Sequence, residues 1–234
     1  MATYSSTVPV IQTDEATRTQ FLVRVYQHLA LAVAAFIGFE TLLFISGLAE
    51  RFARFLFERG GFAWLLILGG FAIVSAITSR AAYNLADPGR QYAGLFGLAA
   101  AEAVIFAPFL WYVFNTESGT TSVVLAAATT LVGFGALTVV AMVTRRDLSA
   151  LRPLITWGFV VAIGLIIAAV VFGFDLGPIF SIAMIGLAGA SILYQTQTIV
   201  RQYPAGAYVG AAVSLFGSLM LMFWYVLRLF VGRD

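Results

Sequence analysis

The chain has 234 residues, of which 61% are hydrophobic and only 10% charged, where soluble domains carry about 25% charged residues. That balance excludes a soluble globule, and a formal charge of +2 gives no basis for nucleic-acid binding. The absence of cysteine, the single histidine (His28) and the absence of lysine among 13 basic residues exclude disulfide, thiol and multi-histidine metal chemistry and a retinal Schiff base.

Residues 1–20 are polar, with no apolar core leading to a small-residue cleavage site, and read as a short soluble N-terminal tail ahead of a membrane domain over 21–234. Seven apolar runs follow, at 23–48, 61–80, 91–114, 121–144, 152–173, 176–197 and 205–231. Each is about the 20 residues that a helix needs to cross some 30 Å of hydrocarbon. The expectation is an all-α membrane protein of seven transmembrane helices in contact with the lipid bilayer. Residues 49–60 alternate Arg51, Arg54 and Glu58 with Phe52, Phe55, Leu56 and Phe57, the pattern of an amphipathic helix lying at the interface.

Pro153, Pro178 and Pro204 are expected in the first residues of spans, where a missing N–H costs little, whereas Pro108 falls inside the third span and predicts a kink. In the last run Gly206, Gly210, Ser214 and Ser218 recur every four residues with Gly217 beside them, and the sixth repeats the theme with Gly186 and Ala190. Such a stripe serves either ordinary close packing or a central helix wrapped by the others. With the N-terminus inside, eight arginines (18, 24, 80, 90, 145, 146, 152, 201) lie on the cytoplasmic side against five (51, 54, 59, 228, 233), which favours that orientation.

Ionisable groups inside spans are costly and are functional candidates by default. Glu102 sits near the middle of the third span and Glu40 two thirds of the way along the first. A buried carboxyl costs far less neutral than charged, so each is either a protonated side chain bonded to a neighbouring helix or a proton or cation relay. Arg80 and Arg228 close spans two and seven, where snorkelling accounts for them. His28 beside Gln27 is a pH sensor or an interfacial hydrogen-bonding residue. No enzyme, cofactor or resident metal is expected: the aspartates lie only in the tail and loops, and neither a nucleophilic serine motif nor a phosphate loop is present.

The segment Thr144-Arg145-Arg146-Asp147-Leu148-Ser149, with Leu151 and Pro153 after it, resembles the T-K/R-R/K-D-L-S-x-L motif of the Bax inhibitor-1 (TMBIM) family, in its bacterial YccA-like branch. Val25-Tyr26 leading into Leu29-Ala30-Leu31-Ala32 is similar to the family's V-Y-x-x-L-A-L opening, and Tyr194-Gln195-Thr196-Gln197-Thr198-Ile199 to its Y-D-x-x-x-I. The resemblance implies six helices around a central seventh. It further implies a pH-regulated calcium leak in some members and regulation of a membrane-bound AAA protease in the bacterial branch. In leak-type members an aspartate pair in spans six and seven, with an arginine in span two, forms the pH sensor. Here Arg80 matches the arginine, but Gln195 and Gly217 stand at the aspartate positions, and an amide cannot titrate.

Two readings follow from these residues. In one, calcium or protons permeate and Glu40 or Glu102 replaces the missing acids. In the other, the bundle is a non-conducting regulator whose tail offers a membrane protease a handle; a secondary transporter, lacking an internal repeat, ranks behind both. The lysine-free, Ala/Gly/Arg-rich composition fits a GC-rich bacterial genome and an inner-membrane location.

Overall fold

The computed structural model describes residues 8–231. A 3-10 turn at Val10–Gln12 precedes eight helices among the described residues: α1 (Glu15–Ile45), α2 (Leu48–Arg59), α3 (Gly61–Ala82), α4 (Pro88–Phe114), α5 (Gly119–Val143), α6 (Leu151–Phe172), α7 (Gly177–Gln202) and α8 (Tyr208–Val231). All but α2 are long and apolar enough to span a membrane, matching the seven expected. The segment expected to be an amphipathic helix is α2, with Ala49, Ala53 and Leu56 turned inward. Gly47 and Gly60, both at φ 72°, form its two corners, a backbone region that a Cβ disfavours.

α8 is the axis of the bundle. It packs against α1, α3, α4, α5 and α7, and meets α6 in a cluster around Tyr225 that includes Phe159 and Ala162. Val209, Ala212, Leu215, Phe216 and Leu227 on α8 are sealed from the surface. α4 is the next most enclosed helix, joined to α8 where Phe106 stacks on Phe223 (centroids 5.6 Å apart) and meets Trp224 edge-on at 4.9 Å. α3 and α6 are peripheral, with one buried residue each, Ala82 and Ala162. Their exposed Leu, Ile and Val side chains suit lipid, and interhelical cohesion therefore rests on close packing and hydrogen bonds rather than on escape from water.

The expected tail boundary at residue 20 is not a structural boundary. Asp14 caps α1 by accepting the Thr17 N–H at 2.7 Å, so the helix starts well ahead of the apolar run. Upstream of it Val10 is fully buried and donates its N–H to the Tyr203 carbonyl at 2.8 Å, and Pro9 pairs with Pro204 in an isolated antiparallel bridge. The rest of the expected tail, residues 1–7, lies outside the described residues, as do Gly232, Arg233 and Asp234.

Three other expectations are corrected. Pro204 does not begin a span: it lies in the α7–α8 connection, which holds Gly206 as well, because α7 runs on to Gln202 and α8 starts only at Tyr208. On α7 the close-packing residues are Ala188 and Gly189, not Gly186 and Ala190. Gly186 is exposed with nothing near it, whereas a Cβ at Gly189 would sit 3.3 Å from Leu137. Arg228 does not merely snorkel, since it pairs with Asp175 of the α6–α7 connection at 3.1 Å. Pro153, Pro178 and Pro108 fall in the first turns of α6 and α7 and in the interior of α4, as read.

Candidate functional site

α3, α4, α7 and α8, with Phe159 of α6, enclose a cavity of about 380 Å³ on the inner side of α3. Glu102, halfway along α4, lines it and is 6% exposed. Gln195 of α7 and Gly217 of α8 line the same space, so three of the five ion-pathway candidates converge. The Ser218 hydroxyl donates to the Gln195 Oε1 at 3.0 Å. A Cβ at Gly217 would meet nothing within 4 Å, which leaves room there for a side chain. Ser75, Ser79 and Ser214 complete the polar lining. Glu102 is the sole acid of the cavity and Tyr225 its other titratable group.

The two remaining candidates lie elsewhere. Arg80 is exposed and contributes nothing to the cavity, although its neighbour Ser79 does; one residue along a helix turns the side chain by about 100°. Glu40 is 7% exposed but belongs to a second, apolar groove between α1, α4, α5 and α8.

Towards the end of the bundle where α8 starts, a chain of hydroxyls runs outward from Ser214 of the cavity wall. Tyr83, just after α3, is hydrogen-bonded to the Ser214 hydroxyl and, at 2.8 Å, to that of Tyr203. Burial pushes the Tyr203 phenol up, and Tyr83 beside it adds to the effect, so Tyr203 acts as a neutral hydrogen-bonding group. Ser214 and Ser218 were legible as members of the small-residue stripe, but Tyr83 and Tyr203 carried no sequence signal. The ring of Tyr83 lies against Gly210, where a Cβ would come within 2.6 Å of it.

The T-R-R-D-L-S segment forms the α5–α6 connection, held from α7 by a residue that the sequence did not single out. Gln197 is 5% exposed. Its Oε1 accepts the Leu148 N–H at 2.8 Å, and its Nε2 donates to the Arg146 carbonyl at 2.8 Å. Arg201 adds bonds to the Thr144 and Arg145 carbonyls at 3.3 and 3.2 Å. Arg145 and Arg146 thus enter through their backbones. Asp147 accepts from the Ser149 N–H and hydroxyl at 2.9 and 3.0 Å, bonds that hold its carboxyl below the usual range, with Arg201 helping.

His28 makes two hydrogen bonds: its Nδ1 donates to the Arg24 carbonyl at 2.7 Å, and its Nε2 is bonded to the Tyr92 hydroxyl at 2.9 Å.

No group of three or more His, Cys, Asp or Glu side chains suited to a metal occurs among the described residues. The cavity offers one carboxyl, one amide and several hydroxyls, against the six to eight oxygens of a tight calcium site.

The model of a family described as inhibitor of apoptosis-promoting Bax1 matches residues 18–234. Among curated proteins, the uncharacterised protein PA2604 of Pseudomonas aeruginosa is 29% identical over 136 residues, covering 58% of this chain. The matched stretch spans 61% of that relative's length.

Proposed function

The chain belongs to the Bax inhibitor-1 family, and from that membership we propose that it is a cation leak, with calcium as the test ion, in which Glu102 is the membrane acid that makes flux depend on pH. The observation that carries this reading is the convergence of Glu102, Gln195 and Gly217 on one cavity, while Glu40 lines another. The positions of the missing aspartate pair and the remaining carboxyl share one space. Neutral, Glu102 is tolerated in the bundle; ionised, it supplies the charge that draws a cation into a site otherwise made of an amide and hydroxyls. Protonation therefore closes the path and deprotonation opens it. Support for a bacterial inner-membrane location with the N-terminus cytoplasmic comes from the arginine distribution and a bacterial relative.

The test is calcium flux into dye-loaded proteoliposomes across acidic to alkaline pH, with the wild type, Glu102→Gln, Glu40→Gln and the double variant Gln195→Asp, Gly217→Asp. Flux that rises with pH in the wild type and in Glu40→Gln, but loses its pH dependence in Glu102→Gln, is the expected result. Flux from the double variant alone would refute the role of Glu102. It would leave the native chain a folded, non-conducting bundle of the kind that regulates other membrane proteins.

A further inference from the structure

The cavity beside Glu102 changes character along the membrane axis. α3 ends where α8 starts, with Tyr83 bonded to Ser214. Toward that end the lining carries two rows of hydroxyls, Ser75 and Ser79 on α3 and Ser214 and Ser218 on α8, each pair one turn or about 6 Å apart. Gln195, bonded to Ser218, stands among them. Toward the opposite end the lining turns to Phe71 of α3, Leu221 and Trp224 of α8, and Phe106, about one turn past Glu102 on α4; Tyr225 brings the one hydroxyl of the lining on that side. Rings continue this apolar layer beyond the cavity, where Trp224 lies 4.7 Å from Phe109 and 6.4 Å from Trp64 between centroids. Past the other end hydroxyls continue instead: Ser214 is bonded to Tyr83, which is 38% exposed and bonded in turn to Tyr203.

We infer that Glu102 exchanges its proton only through this hydroxyl row, so that its charge follows the pH at the face where α8 starts and ignores the pH at the opposite face, with Tyr83 and Ser214 forming the entrance. The inference rests on the reading of Glu102 as the titrating acid. A hydroxyl both donates and accepts, so a row of them, together with water in a space of about 380 Å³, hands a proton from oxygen to oxygen. The carboxyl gives up its proton to the row, a proton leaves the row to water beside Tyr83, and a carboxylate remains; uptake is the reverse. The aromatic side offers no such relay, and a hydronium among rings carries the full cost of a charge in an apolar setting. No other charge competes. α3, α6 and α7 bring no charged side chain to the cavity, and α8 brings Tyr225 as its titratable group. Of the other helices packed on α4, α5 has no titratable residue, Glu40 of α1 lines the other groove, and the charged residues of α2 lie at the opposite end, where Arg54 sits over Trp111.

The experiment reads the proton itself. Because the sequence has no cysteine, Arg145→Cys in the α5–α6 connection, biotinylated with a membrane-impermeant maleimide, separates molecules with that face outward in sealed proteoliposomes from those reversed. Dicyclohexylcarbodiimide, which adds to protonated carboxyls shielded from water, then reports the state of Glu102 by mass spectrometry. Labelling of Glu102 should fall roughly tenfold or more when the face where α8 starts is alone made alkaline, since each pH unit above a pKa removes about nine tenths of the protonated form, and should hold steady when only the opposite face is. In the double variant Tyr83→Phe, Ser214→Val it should persist with alkali on either face, and in Trp224→Ala alkali on either face should lower it; unfolding midpoints close to that of the wild type confirm both folds, and the wild-type result needs no variant. Wild-type labelling that follows the opposite face or both faces, resistance of Glu102 to the reagent with both faces acidic, an entrance variant that responds like the wild type, or a Trp224→Ala variant that still ignores the opposite face would each overturn the inference. Calcium flux is a separate measurement: one-sided titration without flux would defeat the proposed leak and leave the proton route standing, and pH-gated flux with two-sided titration would do the reverse.

Discussion

Replacing Gly94 by alanine tests how α3 is held. A Cβ at this position of α4 would lie 2.4 Å from the Thr78 carbonyl oxygen and 2.5 Å from the Ala82 nitrogen, both backbone atoms of α3. Ordinary van der Waals contact begins at 3.4 Å, so the two helices must separate by about 1 Å, because no rotamer relieves a clash between backbones. α3 has α4 as its main partner and buries little elsewhere. Overpacking of this kind costs about 1–3 kcal/mol, and the upper end applies here, roughly a hundredfold in the folded-to-unfolded ratio. Gly97, one turn on, supplies the internal comparison. A Cβ there meets the Thr78 methyl at 2.8 Å, a side-chain end that can give, and about 1 kcal/mol is expected. Gly69 has nothing within 4 Å, so its alanine variant should be neutral or slightly more stable. Reversible unfolding in mixed micelles, followed by tryptophan fluorescence, ranks the three. A Gly94→Ala variant within about 0.5 kcal/mol of wild type, or one less damaging than Gly97→Ala, would refute the close α3–α4 approach.

Gln197→Leu removes the acceptor for Leu148 N–H and the donor to the Arg146 carbonyl; about 2 kcal/mol of destabilisation is expected in the same assay, with faster amide exchange over 144–149. Tyr83→Phe deletes the hydroxyl that joins Ser214 to Tyr203 and should cost about 1–2 kcal/mol, whereas a change under about 0.3 kcal/mol would show the chain of hydroxyls to be incidental. For Asp147 the folded pKa is lowered, so its contribution is present above the ordinary aspartate range and is lost as pH falls through the lowered folded value. Protection of the Ser149 amide should therefore decline on acidification in the wild type, and Asp147→Asn should remove that pH dependence.

The seven spans were legible because membrane length and hydropathy act on each segment alone. Their ends were less so: Asp14 starts α1 by a local hydrogen bond, and α7 outlasts its apolar run by a turn that brings Arg201 to the α5–α6 connection. For the site, both buried glutamates stood out as acids in apolar runs, yet their separation into two cavities was not readable. A helix apolar on every side has no sequence-visible inner face. Gln195 and Gln197 make the same point. Two residues apart on a helix is about 200°, so one meets Ser218 on α8 while the other reaches across to Leu148. Gly189, in place of Gly186, likewise depends on which way α7 is rotated, a quantity fixed by its neighbours and not by its own composition.

The docking of Val10 on Tyr203 has a consequence for biogenesis. During synthesis the segment around Val10 is made long before its acceptor carbonyl exists, and six of the seven spans are laid down in between. Its seat completes only when the α7–α8 connection has emerged, so this contact closes late and acts as a latch on a finished bundle. A chain cut before residue 203 cannot make this contact.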